Sequence, residues 1–160
     1  MVRTFGIGMD YSPSSKAALE WAINNLGEDG DHVILIHVLS TKSDSAHKKL
    51  WGKAGPPLIP LDEFKKVCNL YGFTPDAKVL SFLDTVSRTK EIKVESKIYW
   101  GDPEKKLCAA VEDLKLDSLV LGNRDLGKFK RALLGSVSIY VVTNATCPVT
   151  VVKGTPTSRP

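Results

Sequence analysis

Short apolar runs alternate along this chain with segments whose apolar residues recur at helical spacing. Thr4 to Met9 is a nearly unbroken apolar run, long enough for a buried strand and too short for a core helix. Ser12 and Pro13 then read as a helix N-cap with proline in the first turn, where its missing N–H costs nothing. Ala18, Ala22 and Leu26, with Trp21 and Ile23 beside them, give that helix an apolar face, and Gly27 and Gly30 bracket its end. His32 to Leu39 is a nearly continuous β-branched and aliphatic run, the pattern of a central parallel strand covered on both sides. From Ser40 to Pro60 the period is lost among Ser, Lys, Gly and Pro. That segment reads equally as a lid or partner-binding loop, with Lys48, Leu50 and Trp51 as its contacts, or as plain disorder. Leu61 to about Lys90 is helical in pattern, interrupted near Gly72–Pro75, and Lys93 to Trp100 alternates as a strand nearer an edge does. Asp102-Pro103 repeats the cap-and-proline start, with Leu107, Val111 and Leu114 as the apolar face of the helix that follows. Ser118 to Leu121 is a fourth strand, about Lys130 to Ala145 a helix, and Pro148 to Val152 a fifth strand.

Strand–helix alternation with connections of this length predicts right-handed βαβ crossovers. The expected fold is α/β: a single open five-stranded parallel sheet of order 3-2-1-4-5 with helices on both faces, Rossmann-like. It occupies residues 1–153, and residues 154–160 form a disordered tail. In open sheets of this kind ligands bind beyond the carboxyl ends of the strands, where the strand order reverses. That point falls between the first and fourth strands, whose carboxyl ends are Asp10 and Gly122.

Composition narrows the function classes. At 160 residues, 42% hydrophobic and 25% charged, the chain is an ordinary globular domain with a sizeable core. The net charge of +4 favours anionic ligands without supplying the concentrated basic face of a dedicated nucleic-acid binder. Nucleic acid thus stays open as a partner with no motif behind it. No apolar run approaches the roughly 20 residues of a transmembrane helix, and the opening residues lack a secretory leader. Cys68, Cys108 and Cys147 form neither a disulfide framework nor a metal pair, and read as small buried hydrophobes in a reducing compartment. The expected location is the cytoplasm, with the nucleus open as a second compartment. His37 sits inside an apolar strand and reads as a core histidine, since neither His32 nor His47 is placed to join it on a metal. Trp21, Trp51 and Trp100 read as packing residues; Trp100-Gly101-Asp102 has a ribose-bordering alternative, although a helix cap accounts for Asp102.

The stretch from Leu119 to Val137 carries the chemistry. An apolar strand ends at Gly122, a polar loop follows with Arg124, Lys128, Lys130 and Arg131, and Gly135-Ser136 opens the next apolar segment. This is the layout of a phosphate cradle, in which backbone N–H groups converge on an anion at a helix N-terminus. Glycine at 122 and 135 lets the backbone approach a phosphate, and Ser136 adds a hydroxyl donor. Asp125 places a carboxylate in the same loop, and two like charges about 4 Å apart repel by roughly 1 kcal/mol in water-like surroundings and by more in a half-buried site. No lysine-bearing P-loop and no nucleophile elbow is present, so the chain is read as a binder and not an enzyme, with slow nucleotide hydrolysis left open.

Gly122, the Gly135-Ser136 pair nine residues beyond Asp125, and the ending Cys147-Pro148-Val149 resemble the universal stress protein family. The opening Gly6–Ser15, the segment Leu50–Pro60 and Tyr99–Leu107 are similar to its plant single-domain members, so the resemblance covers the chain up to Lys153. The family signature is Gly-x-x-Gly, nine residues, then Gly-Ser or Gly-Thr; here Asp125 stands in place of the second glycine. What the resemblance implies is a five-stranded stress-associated domain, usually homodimeric, with ATP held by some members and not by others. Carried onto this chain, Asp10 addresses the adenosine end, with Gly8 beside it, and the Val38 backbone the adenine. Gly122, Asn123, Arg124, Asp125 and Gly127 line ribose and phosphates, and Gly135, Ser136 and Val137 close on the phosphates. Independently of the resemblance, Lys128, Lys130 and Arg131 are the cations available to supply compensating charge. The implied ligand is ATP or AMP; a Mg²⁺ ion, if bound with it, would turn the Asp125 carboxylate from a liability into a ligand. Binding is expected to be weakened by Asp125. The alternative is a ligand-free chaperone-like or protein-interaction module of the same fold. The last strand, with Val149 and Val151, would be an exposed edge unless it pairs with its twin across a two-fold axis.

Overall fold

A computed structural model describes residues 2–39, 57–70, 75–123 and 135–153. In chain order the elements are β1 (Thr4–Gly8), α1 (Pro13–Asn25), β2 (His32–Leu39), β3 (Ile59–Pro60), α2 (Leu61–Leu70), α3 (Ala77–Thr89), β4 (Lys93–Trp100), α4 (Pro103–Asp113), β5 (Ser118–Gly122), α5 (Ser136–Asn144) and β6 (Val149–Val152). They build one sheet of order β3-β4-β2-β1-β5-β6. Its parallel strands β4, β2, β1, β5 and β6 follow the order expected from the apolar runs. The expectation of five wholly parallel strands needs one correction. β3 adds a two-residue antiparallel edge on β4, with Ile59 opposite Ser96 and Pro60 opposite Glu95. Proline cannot donate to a ladder and so suits an edge, while the buried Ile59 anchors the pair.

Alternate residues of each strand face opposite sides of the sheet, and a layer of helices covers each side. Phe5, Ile7, Val33 and Leu35 pack with Ala18 and Leu19 of α1 and with Leu83 of α3. Ile34, Ile36, Leu119 and Leu121 pack on the other side with Leu107 and Val111 of α4 and with Val141 of α5. A smaller cluster joins Phe64 and Cys68 of α2 to Ile98 and Trp100 of β4. Cys68 is buried as expected, Cys108 and Cys147 are half-buried, and all three are unpaired.

The cap expected at Ser12 forms and the one expected at Asp102 does not. Ser12 caps α1, its Oγ accepting the Ser15 N–H at 3.2 Å, and Asp76 caps α3, accepting the Lys78 N–H at 2.8 Å. Asp102 holds the N-cap position of α4, but its side chain makes no capping bond, which corrects the sequence reading. The carboxylate instead lies 3.9 Å from the Lys105 ammonium, both groups exposed. The last helix begins at Ser136, and its expected start near Lys130 lies outside the described residues. So do Ser40–Gly55 with Pro56, the break at 71–74, and the tail at 154–160.

A cleft at the carboxyl edge of the sheet

β1 and β5 are hydrogen-bonded neighbours, yet the helices that follow them lie on opposite sides of the sheet. The chain therefore parts between the two strand ends and leaves a crevice there, as open parallel sheets do at the reversal of strand order. The resulting cleft encloses about 330 Å³. Gly8, Asp10, Val38, Gly122, Gly135, Ser136 and Val137, all expected from the sequence, line it. Ile36, Leu107 and Leu121 make its apolar floor.

The rim is a ring of helix starts. α1, α4 and α5 open on the cleft through Ser12, Ser14 and Ser15, Pro103, and Gly135 to Ser138. Each start leaves backbone N–H groups without an intrahelical partner and carries a partial positive charge, so the rim favours an anion. Asp10 is the one ionisable side chain among the described lining residues, and its Oδ1 accepts the Ser12 N–H at 2.9 Å. It is thus both the turn carboxylate that ends β1 and a wall of the cleft.

Serines of α1 complete that wall, and the sequence reading treated only Ser12 and only as a cap. Ser12 Oγ lies 3.1 Å from Ser14 Oγ and donates to Ser15 Oγ at 3.3 Å. A cap serine directly after β1 necessarily sits at the carboxyl edge of the sheet, which was the available signal. Ser138, one turn position beyond Val137, is likewise in the lining and was not expected there.

The two signature glycines serve different ends. A Cβ on Gly122 would stand 2.3 Å from the carbonyl oxygen of Ser14, so this glycine lets α1 press against β5. A Cβ on Gly135, itself in the cleft lining, would meet no described atom within 4 Å. Asn123 is not part of the lining. It is buried at 8% exposure, and its Oδ1 accepts the Gly135 N–H at 3.0 Å. Arg124, Asp125, Gly127 and Lys128, with Lys130 and Arg131, lie outside the described residues.

Behind the cleft, on the other side of β2 from Val38, the ring of His37 is stacked between Tyr11 at 5.7 Å and Phe64 at 4.9 Å. Full burial pushes its imidazole down to about 3, against a hydrogen bond with the Met9 backbone that favours the charged form. His37 is a neutral core ring. Tyr11, which enters this stack, has a left-handed backbone with φ of 62°, an uncommon conformation for a bulky residue. Among the described residues no group of three His, Cys, Asp or Glu side chains is placed to share a metal ion, and no helix is long and apolar enough to cross a membrane.

Comparison with known proteins adds a family. The model of the universal stress protein family matches residues 1–153. Universal stress protein PHOS32 of Arabidopsis thaliana is 31% identical over 163 residues, covering 94% of this chain and 64% of that protein. PHOS34 of the same plant is 30% identical over 165 residues, covering 94% and 62%. The chain thus spans somewhat less than two thirds of these relatives. Among solved structures, a universal stress protein family protein of Arabidopsis thaliana with AMP bound superposes with a TM-score of 0.59 at 23% identity, covering 99% of this chain and 95% of that one. A universal stress protein in complex with cAMP gives a TM-score of 0.53 at 20% identity, covering 94% and 96%. At these identities the likeness is one of fold.

Proposed function

This chain belongs to the universal stress protein family, and on that premise we propose that its cleft binds an adenine nucleotide, ATP or AMP, in a stress-associated sensing role without catalysis. The observation that carries the proposal is the meeting of two helix N-termini, those of α1 and α5, with Asp10 and Val38 around one cleft. Asp10 suits the ribose hydroxyls, which donate to a carboxylate. The Val38 backbone and the apolar floor of Ile36, Leu107 and Leu121 suit the base. The amides of Ser136 and Val137 and the Ser136 hydroxyl suit the phosphates, where donors fixed in advance cost no reorganisation. The family protein with AMP bound supports the choice of adenine.

Asp125 tunes the reading. A carboxylate in the phosphate loop opposes the most highly charged ligand, and about 1.4 kcal/mol of repulsion corresponds to tenfold in affinity. Calorimetry on the native protein is expected to show AMP binding, with ATP weaker unless Mg²⁺ is present. Asp125→Gly is expected to tighten ATP by about fivefold, the equivalent of roughly 1 kcal/mol. Low-micromolar ATP binding that Asp125→Gly leaves unchanged would defeat the role given to Asp125. Absence of any adenine nucleotide, both in calorimetry and in the supernatant of denatured protein, would defeat the cleft as a nucleotide site.

A homodimer through β6 belongs to the same reading. β6 is the terminal strand, and the neighbouring α5 exposes Ile139, Tyr140 and Val142 at 52%, 37% and 47%. Pairing β6 with its twin across a two-fold axis would cover both the open edge and this apolar face. Light scattering is expected to return twice the chain mass, and a monomer at high concentration would refute it. The working compartment on this reading is the cytoplasm, and the three unpaired thiols suit it.

A further inference from the structure

The helix that closes one side of the cleft is weakly built. α5 spans only Ser136–Asn144, and Val137, Ile139, Val141, Val142 and Thr143 are all β-branched, which lowers helix propensity. Only Ser138 and Val141 are buried. Its N-cap residue is Gly135, which has no side chain with which to cap, and no side-chain capping bond is made. Something outside the helix must hold its first turn at the cleft.

We propose that Asn123 is that positioning residue: by accepting the Gly135 N–H, its side chain pins the start of α5 so that the amides after it face the ligand. The backbone of Asn123 is itself fixed, because its N–H donates to the Val152 carbonyl at 3.0 Å and continues the ladder between β5 and β6. From that fixed point the buried Oδ1 reaches the Gly135 N–H at 3.0 Å, twelve residues along the chain. The bond ties together two residues far apart in sequence, and so offsets part of the chain entropy that fixing them costs. It also divides the donors. The N-cap amide of Gly135 is spent on Asn123, and the amides of Ser136, Val137 and Ser138 remain as the first-turn groups without an intrahelical partner. Asparagine suits the task because it accepts without charge. Aspartate would hold the same N–H and add a negative charge behind the phosphate end.

The ligand arm of this inference rests on the nucleotide reading; the structural arm does not. Hydrogen exchange by NMR on the free protein is expected to show a protected Gly135 amide, exchanging at least tenfold faster in Asn123→Ala and protected again in Asn123→Asp. Calorimetry with adenosine, AMP and ATP is expected to show Asn123→Ala losing about tenfold on AMP and ATP, the scale of one lost hydrogen bond, while adenosine changes less than twofold. Asn123→Asp should keep adenosine and remain weak on both phosphates, a split that a purely structural role would not produce. Wild-type exchange at Gly135 in Asn123→Ala overturns the proposal, as does an equal loss of adenosine and AMP. If Asn123→Ala does not fold, Asn123→Asp carries the test, and an unprotected Gly135 amide in it overturns the proposal. If the native protein binds neither adenosine nor AMP, the nucleotide reading falls while the exchange experiment still decides the role of Asn123.

Discussion

Gly122→Ala is expected to cost about 3 kcal/mol of stability, at the upper end of what overpacking costs, with a fall in melting temperature of roughly 6–12 °C for a domain of this size. The reason is geometric. The added Cβ would lie 2.3 Å from Ser14 O, 2.5 Å from Ser14 C and 2.9 Å from Ser15 N. These are backbone atoms, so no rotamer change relieves the clash. They belong to the first turn of α1, which the Ser12 cap and the packing of Ala18, Leu19 and Ala22 hold in place. The helix must move off β5 as a body or the strand must bend. Gly135→Ala is the matched control: its Cβ meets no described atom within 4 Å and its φ of −65° suits any residue. Its stability should stay within about 0.5 kcal/mol of the native value. Urea unfolding of both variants checks the pair. An unchanged midpoint for Gly122→Ala would mean that α1 rests only loosely on β5, and the wall of the cleft with it.

That contrast also marks how far the sequence could be read. The strand order followed from local signals, because five apolar runs joined by helix-period segments leave few right-handed arrangements. β3 was not legible: two residues give no period, and Pro60 argues against a strand except at an edge, where tertiary contact with β4 decides. The Asp102 cap shows the same limit. Residue type and position were right for a cap, yet the carboxylate sits near the Lys105 ammonium and makes no capping bond.

For the site, the sequence indicated residues without their causes. Gly122 looked like a glycine left bare for a phosphate, and the structure uses it to seat a helix. Asn123 looked like part of the lining, and its side chain turns to the Gly135 backbone. Neither distinction is available from spacing, because both arise from contacts between segments far apart in the chain. The serines of α1 were within reach, since the strand end at Asp10 already placed them at the mouth of the sheet. Reading Ser12 as a cap satisfied the local accounting and hid its second exposure.

Acid is expected to weaken the fold through His37, over a window set by its burial. In the native protein its pKa lies at about 3, against 6.5 for the ordinary group. Above pH 6.5 both folded and unfolded chains hold the neutral ring, and its burial carries no proton-linked cost. As pH falls below 6.5 the unfolded chain takes up a proton that the folded chain refuses, so stability falls until the folded ring titrates near 3. At about 1.36 kcal/mol per unit, the loss reaches roughly 2 kcal/mol at pH 5. His37→Phe keeps an aromatic ring between Tyr11 and Phe64 and removes the proton, at the cost of the bond with the Met9 backbone. The variant is therefore expected to be less stable at pH 8 and to close much of the gap by pH 5. Urea unfolding at several pH values between these limits measures the difference between the two chains, in which every other titrating group cancels to first order. Parallel curves for the two proteins below pH 6.5 would mean that the folded ring accepts its proton as readily as the unfolded one, and that the layer behind Val38 is open to water.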